Sequence, residues 1–202
     1  MSFRTALAGI GIATLLVGSA VADIVGSLSP EQLAKLKAGQ MVVESQDVPG
    51  GVWPKLTVYT LVNAPVSTIS SVFRDYAHAQ DFQPSIVSAK VVSQPSPNAC
   101  SVEYTQKLPI FGTTNFTVQN TFSNSDGGLT VTWKLLKSSM ADVSDGSLRV
   151  EPDGTGSIMR YINYVKPKLG FLAGAAKNSA LESVKSTVSD LKKEAEKRAS
   201  AH

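Results

Sequence analysis

Residues 172–195 read LAGAAKNSALESVKSTVSDLKKEA, and in them Leu172, Ala176, Ala180, Leu181, Val184, Val188, Leu191 and Ala195 recur at helical spacing. They form one stripe down a helix of about seven turns. Lys177, Lys185, Asp190, Lys193, Glu194 and Lys197 lie mostly off that stripe, as on a solvated face. A lone helix of this length is marginal in water, so its stripe must pack on another apolar surface. The preceding chain supplies one such surface, a meander of strands.

From Ile86 to Val165 the sequence reads as successive strands separated by turns: Ile86–Val92, Ser101–Leu108, Thr113–Phe122, Leu129–Leu136, a less regular stretch through Met140 and Asp145-Gly146 to Ser147–Val150, and Gly156–Val165. Three alternate cleanly. Val102, Tyr104 and Leu108 oppose Glu103, Thr105 and Lys107; Phe116, Val118 and Phe122 oppose Thr117, Gln119 and Thr121; Leu129, Val131, Trp133 and Leu135 oppose Thr130, Thr132 and Lys134. One apolar and one water-compatible face per strand predicts an antiparallel sheet covered on one side. No strand–helix–strand rhythm is present, which argues against a doubly wound parallel sheet.

Lys55–Val62 is a further strand, with Leu56, Val58, Thr60 and Val62 on one face and Tyr59 and Leu61 on the other. Asn63-Ala64-Pro65 introduces a helix over Val66–Tyr76, and a short helix or turn runs on to Phe82 before Pro84. Ser29-Pro30-Glu31-Gln32 has the pattern of a capping box with Pro at the first helical position, opening a small helix that Gly39 ends. A short strand over Met41–Glu44 and a turn at Pro49-Gly50-Gly51 follow. The expected architecture is α+β, a curved antiparallel sheet wrapped around the long C-terminal helix.

The first residues read as a leader. Arg4 precedes an apolar run, Ala6–Val17, and Ser19-Ala20-Val21-Ala22 carries the small-x-small pattern of a signal-peptidase site. Cleavage is expected between Ala22 and Asp23, giving an exported, periplasmic or secreted protein; the apolar run is short of the roughly 20 residues of a membrane span. The alternative is an uncleaved N-terminal membrane anchor. The expected organisation is therefore a signal peptide at 1–22, an N-terminal helical extension at 23–52 and one domain at 53–200.

The net charge is only +3, too small and too evenly spread for a nucleic-acid partner. A single cysteine, Cys100, permits no intrachain disulfide. The two histidines, His78 and His202, have no metal-ligand spacing, and the chain has no G-x-S-x-G elbow and no phosphate loop. No metal, no cofactor and no catalytic residue is assigned, and oligomeric state stays open.

A bent sheet cannot touch a straight helix along its whole length, so the space between is either a pocket or filled by side chains. Tyr104, Phe116, Trp133 and Tyr161 or Tyr164 are the large inward candidates on the sheet. Opposite them the helix opens with small residues, Ala173 to Ala180, then Leu181 and Val184. Arg160 is a further candidate wall residue: inward, it needs a carboxylate or ligand partner, for which Asp145 or Glu103 would serve; outward, it is an ordinary surface residue.

Leu56–Pro65 with its helix to Tyr76, Phe82-Gln83-Pro84-Ser85-Ile86, and Asp145 to Thr155 with Tyr161 and Pro167 following, resemble the START-like (SRPBCC) superfamily of helix-grip domains, in particular its polyketide cyclase/dehydrase and Coq10-like branch. The resemblance covers roughly Lys55 to Lys193. It implies a hydrophobic small molecule such as a lipid, quinone, polyketide or sterol bound between sheet and helix, lined by Tyr104, Phe116, Trp133, Arg160, Tyr161, Tyr164, Leu172, Ala176, Ala180, Leu181 and Val184. It leaves three readings open: a binding or carrier domain, a cyclase/dehydrase-like enzyme, and an interaction protein with a filled core. Ile110 and Phe111 at a hairpin tip, and Phe171 beside Lys166 and Lys168, are candidates for the cavity mouth or for transient membrane-surface contact.

Overall fold

The computed structural model describes residues 23–108, 112–168, 174 and 176–201. Residues 1–22, Ile110, Phe111, Phe171 and Leu172 lie outside the described residues. The chain enters through a short 3₁₀ turn into α1 (Pro30–Lys37), whose start is capped as its sequence predicts. Ser29 Oγ accepts from the Gln32 amide at 3.2 Å, and Gln32 Oε1 accepts from the Ser29 amide at 2.8 Å. Two reverse bonds close the helix, Gly39 N–H to the Leu36 carbonyl and Gln40 N–H to the Lys35 carbonyl.

Eight strands follow: β1 (Val42–Gln46), β2 (Lys55–Val62), β3 (Ile86–Ser96), β4 (Ala99–Leu108), β5 (Gly112–Ser125), β6 (Gly128–Ser138), β7 (Ala141–Asp153) and β8 (Gly156–Pro167). They form one curved, unclosed antiparallel sheet in the order β1-β2-β8-β7-β6-β5-β4-β3. Between β2 and β3 the chain crosses the width of the sheet through α2 (Val66–Arg74) and α3 (Ala79–Phe82), and α4 (Lys177–Ser200) ends the fold. The β5–β6 hairpin turns on Asp126 and Gly127, both at positive φ (52° and 72°), the two-residue geometry whose twist matches its flanking strands.

The main core fills the concave side. Val58, Val102, Val118, Val131, Leu148 and Met159 from the sheet meet Ile69 and Val72 of α2 and Val184, Val188, Leu191 and Ala195 of α4. The helical stripe therefore packs where its periodicity predicts. Lys55–Val62 is a strand with the bounds its sequence predicts, and the short strand expected over Met41–Glu44 runs from Val42 to Gln46. The meander strands extend beyond their expected ends, Gly156–Val165 to Pro167 and Leu129–Leu136 to Gly128–Ser138. The irregular stretch expected before Val150 is instead continuous strand: β7 pairs with β8 without a break from Ser144 to Asp153.

The sheet is covered on both sides at one corner. Ile24, Leu28, Leu36, Val42, Tyr59 and Ile158 make a second apolar cluster on the outer face. Sequence alternation alone predicts cover on one side, but the segment from Ile24 to Leu36 lies across the outer face at β1, β2 and β8. Its strand β1 hydrogen-bonds to β2, so the extension before residue 52 shares the sheet of the domain that follows. Beneath it Glu151 accepts from the Ile24 amide at 2.8 Å and from Arg149 Nε at 2.9 Å, while Arg149 Nη1 donates to Ser125 and Thr130 at 3.1 Å each.

The charges on α4 are not all solvated. Lys192 donates to the Leu61 carbonyl at 2.8 Å and pairs with Glu196, which accepts from the Asn63 amide at 2.9 Å. Arg198 pairs with Asp75 and Glu194, both at 2.8 Å. These bonds tie the last turns of the helix to β2 and α2.

Candidate ligand cavity

Where α4 diverges from the sheet, a cavity of about 350 Å³ remains. Strand parity decides which side chains face it. Leu56 of β2, Tyr104 of β4, Phe116 and Val118 of β5, Trp133 and Leu135 of β6, and Tyr161 and Val165 of β8 form the sheet wall, with Ala176, Ala180, Leu181 and Val184 opposite and Phe73, Tyr76 and Phe82 at the α2–α3 end. The aromatic residues are ordered by one another. Trp133 lies with its ring centroid 4.9 Å from that of Tyr161 and 6.4 Å from that of Phe73, and Tyr104 stacks on Phe116 at 5.2 Å.

Two candidates are corrected by the same parity. Arg160 and Tyr164 flank Tyr161 in register with Tyr59 and Asp145, on the outer face. Arg160 forms no ion pair among the described residues, and its buried Nε has no hydrogen-bond partner. Glu103 is exposed on β4, and Asp145 accepts from the Leu135 amide at 3.1 Å. Tyr164 stands beside the turn at Gly51. Outward placement follows from strand geometry, since successive side chains point to opposite faces and Tyr161 takes the inner one.

Several wall residues are polar and escape a reading that looks only for rings and small residues. Thr114 and Asn120 occupy the inward parity of β5, Asn120 between Val118 and Phe122 and Thr114 next to Phe116, and both are buried. Asn163 follows Tyr161 on the inner face of β8, and Gln106, Ser144, Ser183 and Thr187 are among the other polar wall residues. A polar residue at an alternation position otherwise held by Phe and Val is the signal that could have found them. Asn120 donates to the Tyr76 hydroxyl at 3.0 Å, and the Cys100 thiol does so at 3.6 Å.

No ion faces the middle of the cavity. Burial raises the pKa of the Tyr161 phenol; burial, then Tyr161 and Cys100, raise that of Tyr104; and burial, then Tyr104 and Cys100, raise that of Tyr76. All three phenols are therefore neutral hydrogen-bonding groups at ordinary pH. Asp75 stands at one end, engaged by His78 at 2.7 Å and by Arg198 at 2.8 Å. Lys177, the remaining charged wall residue, is exposed at the start of α4. Among the described residues no group of three or more His, Cys, Asp or Glu is placed to hold a metal ion, and no helix is long and apolar enough to cross a membrane.

An open antiparallel sheet gripping a long C-terminal helix, with two short helices between its first and second long strands, is the helix-grip fold. Solved structures share it throughout the domain. The STAR-related lipid transfer protein from Xanthomonas axonopodis superposes with a TM-score of 0.68 at 15% identity, covering 77% of this chain and 93% of that one. Human StAR-related lipid transfer protein 5 gives 0.68 at 7% identity over 78% and 82% of the two chains. The Zhui aromatase/cyclase from Streptomyces sp. R1128 gives 0.60 at 13% identity over 79% and 96%. No protein-family model and no curated protein sequence matches the chain.

Proposed function

We propose that this protein binds and carries a hydrophobic small molecule held between the sheet and α4. The observation that carries the proposal is the cavity itself, about 350 Å³ with rings on one wall and small residues on the other. That volume falls in the lower part of the roughly 300–1,000 Å³ range of small-molecule sites. Lipid transfer proteins and an aromatase/cyclase among the structural neighbours support the same reading. Of the ligand classes implied by the sequence resemblance, those with a single chain or a few rings suit this volume best.

The test is solvent extraction and mass spectrometry of the protein purified from its native source, followed by titration of the delipidated protein with the recovered compound. A stoichiometric apolar ligand, and its loss in Ala180→Phe with folding retained, are the expected results. Extraction that yields no apolar compound, with Ala180→Phe indistinguishable from the parent, overturns the proposal.

A cyclase-type enzyme is the second reading, favoured by the neutral phenol of Tyr161 in the wall. It requires that Tyr161→Phe abolish turnover of the recovered compound while leaving its binding within about twofold.

Export belongs to the same proposal and rests on the leader pattern before Asp23. Ile24, the second residue after the expected cleavage point, is buried and bonded to Glu151. N-terminal sequencing of native protein should begin at Asp23; a retained leader in the membrane fraction would replace export with anchoring.

A further inference from the structure

The cavity wall carries one buried hydroxyl that the protein leaves without a partner, Thr114, and a phenol fixed by its neighbour, Tyr161. Thr114 Oγ1 is buried and makes no hydrogen bond, in a residue 8% exposed. Tyr161 lines the same cavity from β8, its ring centroid 4.9 Å from that of Trp133. Tyr76, by contrast, is served by Asn120 and Cys100. A buried donor left unmade is costly, so native structures rarely keep one without a partner supplied from elsewhere.

The two groups stand apart. Thr114 is on β5 and Tyr161 on β8, with β6 and β7 between them and the Trp133 ring against Tyr161. They are two polar points on the ring-lined part of a wall that also carries Gln106, Asn120 and Asn163. Neither is matched by a cation: Lys177 is exposed at the start of α4, Arg160 faces outward, and Arg198 is taken by Asp75 and Glu194. A carboxylate or phosphate drawn into the middle of the cavity would sit unpaired, which is strongly unfavourable in such surroundings.

We infer that Tyr161 and Thr114 are the polar anchors of the cavity, and that they select an uncharged apolar molecule bearing a ketone- or ester-type carbonyl oxygen over anionic amphiphiles. The Tyr161 phenol donates to the carbonyl oxygen, and Thr114 meets a second polar atom of the same ligand. The rings of Trp133, Phe116 and Tyr104 enclose its apolar body. This deepens the binding function proposed above and rests on it.

The experiment compares three probes of one shape on the full chain, purified and delipidated: a propionyl-dimethylaminonaphthalene ketone, the same naphthalene without the acyl group, and the corresponding naphthoate anion. The ketone should bind about 10-fold tighter than the acyl-free compound, as one added hydrogen bond in a dry site implies. Its emission should shift to the red through the hydrogen bond at its carbonyl, and the naphthoate should bind weakest.

Tyr161→Phe, which keeps the ring against Trp133, should lower ketone affinity about 10-fold and remove the red shift while leaving the acyl-free probe within about twofold. Thr114→Val should give a smaller loss of the same kind. If the acyl-free probe binds but the ketone gains nothing, if the naphthoate binds as tightly as the ketone, or if both variants keep the ketone preference, the anchors are wrong and the cavity stands. If the acyl-free probe also fails to bind, the cavity reading falls and this inference with it.

Discussion

The indole ring of Trp133 lies over Gly146, the residue directly opposite it on β7, so closely that a Cβ at 146 would collide with that ring and with the Ile162 carbonyl oxygen. The missing side chain lets Trp133 settle against the sheet, where it supports Tyr161 on one side and Phe73 on the other. A glycine in a stretch that reads as irregular in sequence is thus the floor beneath the central ring of the cavity.

Gly146→Ala should therefore destabilise the protein by about 1–3 kcal/mol, as overpacking does in a close-fitted interior. In a domain of this size each kcal/mol lowers Tm by about 2–4 °C. Thermal unfolding followed by near-ultraviolet circular dichroism measures both the loss and the displaced indole. An unchanged Tm would mean that the ring moves aside freely.

The packed and open halves of the interior should respond differently to truncation. Leu148 is fully buried in the core, away from the cavity. Its replacement by Ala should cost about 2–5 kcal/mol through lost contacts and a new void. Leu181 is half-buried and already faces the cavity, so Leu181→Ala should cost only about 1 kcal/mol. Urea denaturation of the pair checks the contrast, and equal losses would show that the cavity is filled by neighbouring side chains.

Stability should fall on the acid side as the clamp at the end of α4 is lost. Burial works to raise the Asp75 pKa, but hydrogen bonds from His78 and Arg198 outweigh it and hold the carboxyl below its ordinary value. Burial is likewise outweighed at Glu194 by Arg198 and Lys197. A carboxyl depressed in the folded state contributes stability above its unfolded pKa of about 4 and loses it as pH falls through the folded value. Asp75→Asn should cost about 1 kcal/mol at neutral pH and the difference should close below about pH 3. Denaturant titrations across that range test it; a difference independent of pH would remove the clamp from the acid limb.

Removing Glu151 should free the N-terminal segment. Its carboxylate serves both Arg149, whose side chain is 5% exposed, and the Ile24 amide. Glu151→Ala leaves a buried guanidinium without its counter-charge, a loss of about 3–5 kcal/mol, and should expose residues near Ile24 to limited proteolysis and faster amide exchange. Undiminished protection at Ile24 would show that apolar contacts alone hold the segment.

Local patterns carried much of the architecture. The spacing of Val184, Val188, Leu191 and Ala195 determined which face of α4 is buried, because a helix of fixed pitch presents one stripe. Alternation placed Tyr104, Phe116 and Trp133 on one face of their strands, since the side-chain period of a strand is two. Ser29 and Gln32 capped α1 through bonds made within four residues. In each case the physics is local, so it is written in neighbouring positions.

Other features depend on partners distant in the chain. In β8 the inner Met159 and the outer Ile158 are both buried, because the segment from Ile24 to Leu36 covers the outer face there. Alternation is erased by that cover, and the sequence leaves Tyr161 and Tyr164 equivalent until the pairing with β2 and β7 decides between them. Lys192, Glu196 and Arg198 find their partners Leu61, Asn63 and Asp75 only when the other end of the domain folds against the helix. Asn120 looks misplaced between Val118 and Phe122 until the Tyr76 hydroxyl and the cavity beside it are known. The helix and its stripe belong to the sequence; the cavity belongs to the tertiary structure, because a void is defined by the divergence of surfaces that no single segment contains.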